Sequence, residues 1–274
     1  MSEVTIASYN VHFGVGLDGE YDCPRIANAV RSADIVCFQE ITRGYIANGG
    51  ADMVGDLKAE LTDRFCAFHA PCDIDMGSRL DGDGHAVSAR MQFGNMVASR
   101  WPIASVRGHL LPRRLRLDGL NLQRGMLECV IDTPLGVLSV NSIHLDHLSG
   151  AERLDQITVM HRLAQSALKD GTSISGTTAF GMAEPAMPEH FIVAGDFNCL
   201  PGSREHQAMT ARGVVDVTAA TNAWSWTDPD CKEPDQRLDY MLCDPALASL
   251  CMDVNINQAE NGSDHMPVFA RFSD

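Results

Sequence analysis

The run Phe191-Ile192-Val193-Ala194-Gly195-Asp196-Phe197-Asn198 decides how this chain is read. Its unbroken apolar start, bounded by glycine, fits a buried strand. Asp196 and Asn198 then stand two apart, so on an extended chain their side chains point the same way. Gly195 lets backbone or ligand come close, and the Leu200-Pro201-Gly202 that follows is turn chemistry. A carboxylate and a carboxamide therefore sit where a buried strand meets a loop, a place where catalytic groups are often carried. Taken alone, an Asp-x-Asn could equally be an Asx turn capping the next segment.

Other strand-like runs end in the same kind of polar cluster. Ile35-Val36-Cys37-Phe38 leads to Gln39-Glu40, and Val137-Leu138-Ser139-Val140 leads to Asn141-Ser142-Ile143-His144. Leu238-Asp239-Tyr240-Met241-Leu242 carries an acid inside an apolar run, Ser8-Tyr9-Asn10-Val11-His12 follows the first strand, and Ser263-Asp264-His265-Met266-Pro267 stands near the chain end.

In this order the clusters resemble the signature of the endonuclease/exonuclease/phosphatase superfamily, which includes abasic-site endonucleases, deoxyribonuclease I-like enzymes, inositol-polyphosphate 5-phosphatases, neutral sphingomyelinases and poly(A) deadenylases. The matching elements are Asn10, Gln39-Glu40, Ser142-Ile143-His144-Leu145, Gly195-Asp196-Phe197-Asn198, Arg237-Leu238-Asp239-Tyr240 and Ser263-Asp264-His265-Met266-Pro267, and they span nearly the whole chain. The resemblance implies an α/β fold, a four-layer sandwich of two central β-sheets flanked by α-helices, with the site in loops at one end of the sheets.

A chain of 274 residues that is 45% hydrophobic can bury one large α/β core, and no Pro/Gly/Ser linker divides it. We read 1–274 as a single catalytic domain. Strands are expected near 4–9, 34–38, 95–99, 126–132, 137–144, 190–195, 237–242 and 267–272, and helices near 24–32, 52–62 and 149–168. The last helix is the clearest: Ser149 and Glu152 fit a capping box, and Leu154, Ile157, Met160, Ala164 and Leu168 recur at helical spacing. Residues 72–92 and 169–189 read as loops. Asp81, Asp83 and His85 in the first resemble a calcium loop but lack its closing Glu. The nine cysteines form no Cys-x-x-Cys pair, and several sit in apolar runs, as reduced core thiols do. No signal-peptide pattern opens the chain and no stretch reaches a membrane span, so a soluble, cytoplasmic protein is expected.

With 36 acids against 21 Lys plus Arg the formal net charge is −15. Such a surface repels polyanions, whereas proteins that grip nucleic acid non-specifically usually neutralise phosphate with Lys and Arg. A small or lipid-derived phosphodiester is the favoured substrate, with a nuclease or a phosphomonoesterase as the alternatives. One basic stretch stands out: Arg107, Arg113, Arg114, Arg116 and Arg124 cluster around a single acid, Asp118. It reads either as a solvated hairpin or as an anion-binding rim, since Arg forks match phosphate.

The resemblance also implies roles. Glu40 would be the leading ligand of Mg²⁺ or Mn²⁺, hard ions that take few protein carboxylates, with Asp264 and Asn10 on the same metal side. Asp196 would orient and deprotonate the attacking water, while Asn198 and Asn10 hold phosphate oxygens. His265 would face the scissile phosphate with Asp239 on its other ring nitrogen, and His144 would contact phosphate. His12 departs from the abasic-site pattern and, with Asn95, is a candidate substrate contact. Asp146 and His147 could orient His144 or cap the helix near Ser149.

Overall fold

Short apolar runs between polar turns become strands because only a sheet buries both faces of such a run. In the computed structural model, which describes residues 2–274, the strands are β1 (Glu3–Asn10), β2 (Ile35–Arg43), β3 (Phe65–Asp75), β4 (Arg79–Leu80), β5 (Ala86–Val87), β6 (Arg90–Ser99), β7 (Ile103–Leu110), β8 (Gly125–Thr133), β9 (Gly136–His144), β10 (His190–Asp196), β11 (Val215–Asp216), β12 (Asp239–Cys243), β13 (Cys251–Ile256) and β14 (Val268–Ser273). The helices are α1 (Cys23–Ala29), α2 (Met53–Glu60), α3 (Gly150–Asp170), α4 (Arg204–Met209) and α5 (Pro245–Ser249).

Two six-stranded sheets result, ordered β13-β14-β1-β2-β6-β3 and β11-β12-β10-β9-β8-β7. Their inner faces share one core, in which Ile6, Ile35 and Val97 of the first sheet join Leu127, Val140 and Ile192 of the second. Outside, Tyr9, Phe38 and Met96 pack with Ile26 of α1 and Leu57 of α2. On the far side Ile143, Val193 and Leu242 pack with Ile157, Met160 and Ala164 of α3. Each fully buried large aliphatic side chain contributes about 1.5–3 kcal/mol before conformational entropy is set against it. The order helix, sheet, sheet, helix is the four-layer sandwich expected.

Six strands escape the sequence reading: β4, β5 and β11 are only two residues long, and β3, β7 and β13 each escape for a physical reason. β3 contains Pro71, which cannot donate to a ladder, and the register slips between His69 and Cys72 to accommodate it. β7 and β13 are polar and partly exposed along their length, so they lack a continuous apolar signal. The expected loop at 72–92 is also corrected. β3 runs on to Asp75 and β6 begins at Arg90, so much of the segment is a hairpin arm, pinned by an Arg90 to Asp73 ion pair at 2.6 Å. Residues 171–189 remain loop apart from one short 3₁₀ turn at Thr177–Phe180.

The Ser149 cap forms, but only half of the box is as read. Ser149 Oγ accepts from Glu152 N at 3.3 Å, while the Glu152 carboxylate turns away to accept from Arg114 N. Asp146 supplies the missing half, accepting from Leu148 N at 3.0 Å and Ser149 N at 2.5 Å.

Candidate active site

Strand register assembles the site. β10 is parallel to β9 and antiparallel to β12, and the pairing sets Asp196 directly between His144 and Asp239. In the other sheet the parallel pair β1 and β2 sets Asn10 beside Gln39. Gly195 permits this closeness, since a Cβ there would lie 1.8 Å from the Ile143 carbonyl oxygen.

Asp196 is 2% exposed. Its Oδ2 accepts from Asn10 Nδ2 at 3.0 Å and its Oδ1 from Asn198 N at 2.9 Å. Burial pushes its carboxyl up to about 7, with the Asp239 charge adding and the His265 charge opposing. His265 lies 3.6 Å away through Nε2, and its Nδ1 is 2.8 Å from Asp239 Oδ2. Burial opposes a charge on this ring, but Asp239 and Asp196 outweigh it and hold His265 well above the ordinary imidazole range. The ring is therefore a buried imidazolium whose Nδ1 donates to Asp239. Asp239 is fixed in turn by Ser225 Oγ at 2.7 Å.

His144 is the opposite kind of imidazole. Arg124 Nη1 meets its Nδ1 at 3.0 Å, and a guanidinium only donates, so Nδ1 accepts and Nε2 carries the proton. That Nε2 faces Asp196 Oδ2 at 3.3 Å. Burial, then the Arg124 charge, pushes His144 well below its ordinary pKa, which keeps it a neutral donor. Asn198 Nδ2 donates to the Leu145 carbonyl at 3.1 Å, beside the same histidine.

Glu40 reaches the cleft through a bulge. The β2/β6 register shifts between Phe38 and Ile41, and Glu40 sits there at φ 61°. His12, Phe13 and Asn198 also have φ between 43° and 50°. Non-glycine residues rarely adopt this backbone, and its concentration around one cleft marks a functional site. The cleft holds about 500 Å³, with Glu40, Asp264, Asp196, Asn198, His12, His144, His265 and Arg124 on its polar side. Its other side is apolar: Phe13, Tyr45 and Phe93 form a chain of rings spaced 5.1 and 5.8 Å apart, continued by Leu120 and Leu122.

With this geometry in view, comparison places the chain. Residues 7–265 match the model of the Endonuclease/Exonuclease/phosphatase family. The chain belongs to that family. Solved structures share the fold at low identity. The endonuclease/exonuclease/phosphatase from Beutenbergia cavernae has a TM-score of 0.70 at 20% identity, covering 99% of this chain and 71% of its own. A Bacteroides thetaiotaomicron mannosyl-6-phosphatase has 0.64 at 17%, covering 97% and 98%. TDP2 from D. rerio, complexed with a single-strand DNA product, has 0.64 at 17%, covering both chains fully at 100%. No curated protein sequence matches.

Members of this endonuclease/exonuclease/phosphatase family generally use a divalent metal, and ligand atoms of Asp196, Asp239 and His265 lie within 4.8 Å of one another, close enough to share an ion. Among the described residues no helix is long and apolar enough to cross a membrane.

Some sequence expectations about this family member change. Asn95 does not face the cleft: it is buried between the sheets, donating to the Gly125 and Ser142 carbonyls at 3.1 and 2.9 Å. The arginine cluster is not a shared rim. Arg107 is held by Glu128 and Arg114 by Asp155, Arg116 pairs with Asp118, and Arg113 donates to the Asn121 carbonyl. Of the five, Arg124 is the one lining the cleft. Asn10 stands behind Asp196, its Oδ1 taken by His12 N at 3.1 Å. Asp146 caps α3, and His147 pairs instead with Arg124 Nη2 at 3.2 Å. Sequence reading missed Trp226, whose Nε1 donates to Asp264 Oδ2 at 3.2 Å, and the aromatic wall. Trp226 lies in a loop without periodicity, and short bridges to Gln236 and His265 place it.

Proposed function

We propose that this chain, as a single catalytic domain over residues 1–274, is a divalent-metal-dependent phosphodiesterase that hydrolyses a small or lipid-derived phosphodiester by in-line attack of water. The observation that carries this reading is one buried carboxyl, Asp196, poised near neutrality beside one buried imidazolium, His265. A general base works best with a pKa near the operating pH. The imidazolium cannot take a proton, so its role is to donate to phosphate.

The donor set fits a hard cation. Glu40 turns its carboxylate into the cleft at strained φ, no described residue donates a hydrogen bond to it, and Asp264 lines the same cleft. Mg²⁺ or Mn²⁺ would be held by these two carboxylates, with Asn10 retained to orient Asp196. The Asp196, Asp239 and His265 triangle suits an ion less well, because Asp239 Oδ2 already accepts from both His265 and Ser225. When bound, the ion supplies charge neutralisation and Lewis acidity at the phosphate oxygens.

The remaining chemistry belongs to the chain's own residues. Asp196 takes a proton from water as the water oxygen bonds to phosphorus, and the bond from phosphorus to the leaving oxygen breaks. His265 Nε2, His144 Nε2 and Arg124 donate to the non-bridging oxygens as their charge grows. The leaving oxygen takes its proton from solvent, giving an alcohol and a phosphomonoester. Phe13, Tyr45 and Phe93 would receive the apolar portion of one ester group.

The apolar wall and the −15 net charge favour a small or lipid-derived diester over a nucleic acid. Hydrolysis of bis(p-nitrophenyl) phosphate beside the monoester, with Mg²⁺ or Mn²⁺ and with chelator, tests the reading, using Asp196→Asn as the control. Metal-dependent diester cleavage lost in the variant supports it. Faster turnover of the monoester, or activity surviving in Asp196→Asn, overturns it.

A further inference from the structure

The loop between β7 and β8 carries leucines outward beside the cleft. Leu115, Leu117 and Leu120 are 80%, 93% and 62% exposed. Single exposed leucines are ordinary, but three within six residues at one loop tip form an apolar patch. The base of the loop is clamped: Arg113 Nε donates to the Asn121 carbonyl at 3.1 Å, Asn121 Nδ2 to the Arg114 carbonyl at 3.1 Å, and Arg114 N to Glu152 Oε2 at 3.0 Å. The leucines are thus held out by a fixed frame. Leu120 also lines the catalytic cleft, so the patch is continuous with its apolar wall.

Charge around the tip runs against that of the molecule. Arg113, Arg114 and Arg116 alternate with the leucines and Asp118 is the loop's single acid, on a chain of net charge −15. The ion pairs of Arg114 with Asp155 and of Arg116 with Asp118 involve exposed carboxylates, which hold an arginine weakly. Long arginine stems can lie along apolar surface while their heads reach a charged layer.

We propose that this loop docks the protein on a lipid bilayer carrying anionic headgroups, with Leu115, Leu117 and Leu120 entering the interface and the arginines meeting lipid phosphate. A protein partner fits less well, since hot spots of protein interfaces are rich in Trp and Tyr and poor in Leu, and this tip has no aromatic residue. The proposal deepens the phosphodiesterase reading by naming the bilayer as the place where the diester is met, and it rests on that reading for this point alone.

Co-sedimentation with vesicles of phosphatidylcholine, alone and mixed with phosphatidylglycerol, tests it at low and high salt. The native chain is expected to sediment with the mixed vesicles, less so as salt rises, and Leu115→Ser/Leu117→Ser to lose about tenfold or more in partitioning. Neither leucine lines the cleft, so turnover of soluble bis(p-nitrophenyl) phosphate should be unchanged in that variant. As a second readout, the emission of Leu117→Trp should shift to the blue on adding mixed vesicles. Absence of sedimentation by the native chain, equal sedimentation of the double variant, or unmoved tryptophan emission overturns the proposal. Equal binding to both vesicle types overturns its anionic part. Failure to cleave the soluble diester, with vesicle binding intact, bears on the phosphodiesterase reading and leaves the docking surface standing.

Discussion

Replacing Asp239 with Asn isolates the charge that keeps His265 protonated. The substitution preserves shape in a fully buried position, and Ser225 can still bond to the new side chain. What is lost is a full negative charge 2.8 Å from His265 Nδ1. With the charge centres about 4 Å apart and an effective dielectric near 20, the pair is worth roughly 4 kcal/mol. Burial then acts on the ring without its main opponent, which shifts the balance toward the neutral imidazole. In kinetics, kcat/KM of the native chain should rise with pH as Asp196 deprotonates near 7 and fall again as His265 loses its proton. In Asp239→Asn the alkaline limb moves toward acid, and the rate on that limb drops on the order of 10²- to 10³-fold. His265→Ala should cost more, since it removes the donor itself. Full pH profiles on a soluble diester, with melting curves to verify folding, make the comparison. An unshifted alkaline limb, or a larger loss in Asp239→Asn than in His265→Ala, would refute the assignment of Asp239 as the group that charges the ring.

Other outcomes follow from the same geometry. Gly195→Ala drives a methyl to 1.8 Å from the Ile143 carbonyl oxygen, so the β9/β10 pairing must open; urea unfolding should show a loss of about 3 kcal/mol or more, and a loss under about 1 kcal/mol would mean the strands yield freely. Glu40→Gln should raise the Mg²⁺ concentration for half-maximal activity about tenfold or more, read by metal titration and calorimetry, and an unchanged requirement would place the ion elsewhere. Glu128 is buried, which alone would raise its carboxyl, but His109 and Arg107 outweigh burial and hold it below the usual range. A depressed folded pKa gives stability that is present above the unfolded value near about 4.3 and lost as pH falls through the folded one. The stability gap between the native chain and Glu128→Gln should therefore be largest at neutral pH and close on acidification, and a gap constant across this range would show that the pair contributes no charge.

How much of this was legible in the sequence follows from what fixes each residue's position. Asp196, His144, Asp239 and Asn10 sit at strand ends, and a strand's alternation and register determine where such residues point once the pairing is known. A local pattern therefore carried them. The fold was legible for the same reason, since its central strands are apolar throughout. Asn95 was misread because it, too, ends a glycine-bearing approach to a strand, yet faces the seam between the sheets, where its amide answers two backbone carbonyls. No local signal separates those faces. The arginine stretch left two readings open for a different reason: Arg107, Arg114 and Arg116 are each held by a carboxylate, and for Arg107 and Arg114 that partner lies 21 and 41 residues away.

The strained backbone links the legible and illegible parts of the site. Among the described residues, His12, Phe13, Glu40 and Asn198 are four of the six non-glycine residues with positive φ, and all line the cleft. Each such residue costs about 1 kcal/mol or more. The compensation is partly local and partly distant: His12 N is held by Asn10 Oδ1 and Asn198 N by Asp196 Oδ1, each two residues back, while Glu40 sits at a bulge in the pairing with β6. A strand ladder alone would leave Glu40 in register and turned along the sheet. The bulge spends one residue of pairing to aim a carboxylate at the same space that His265 and Asp196 face. That convergence of separately costly features on one cleft is best explained if the cleft binds a charged group whose binding energy does not enter the stability of the free fold.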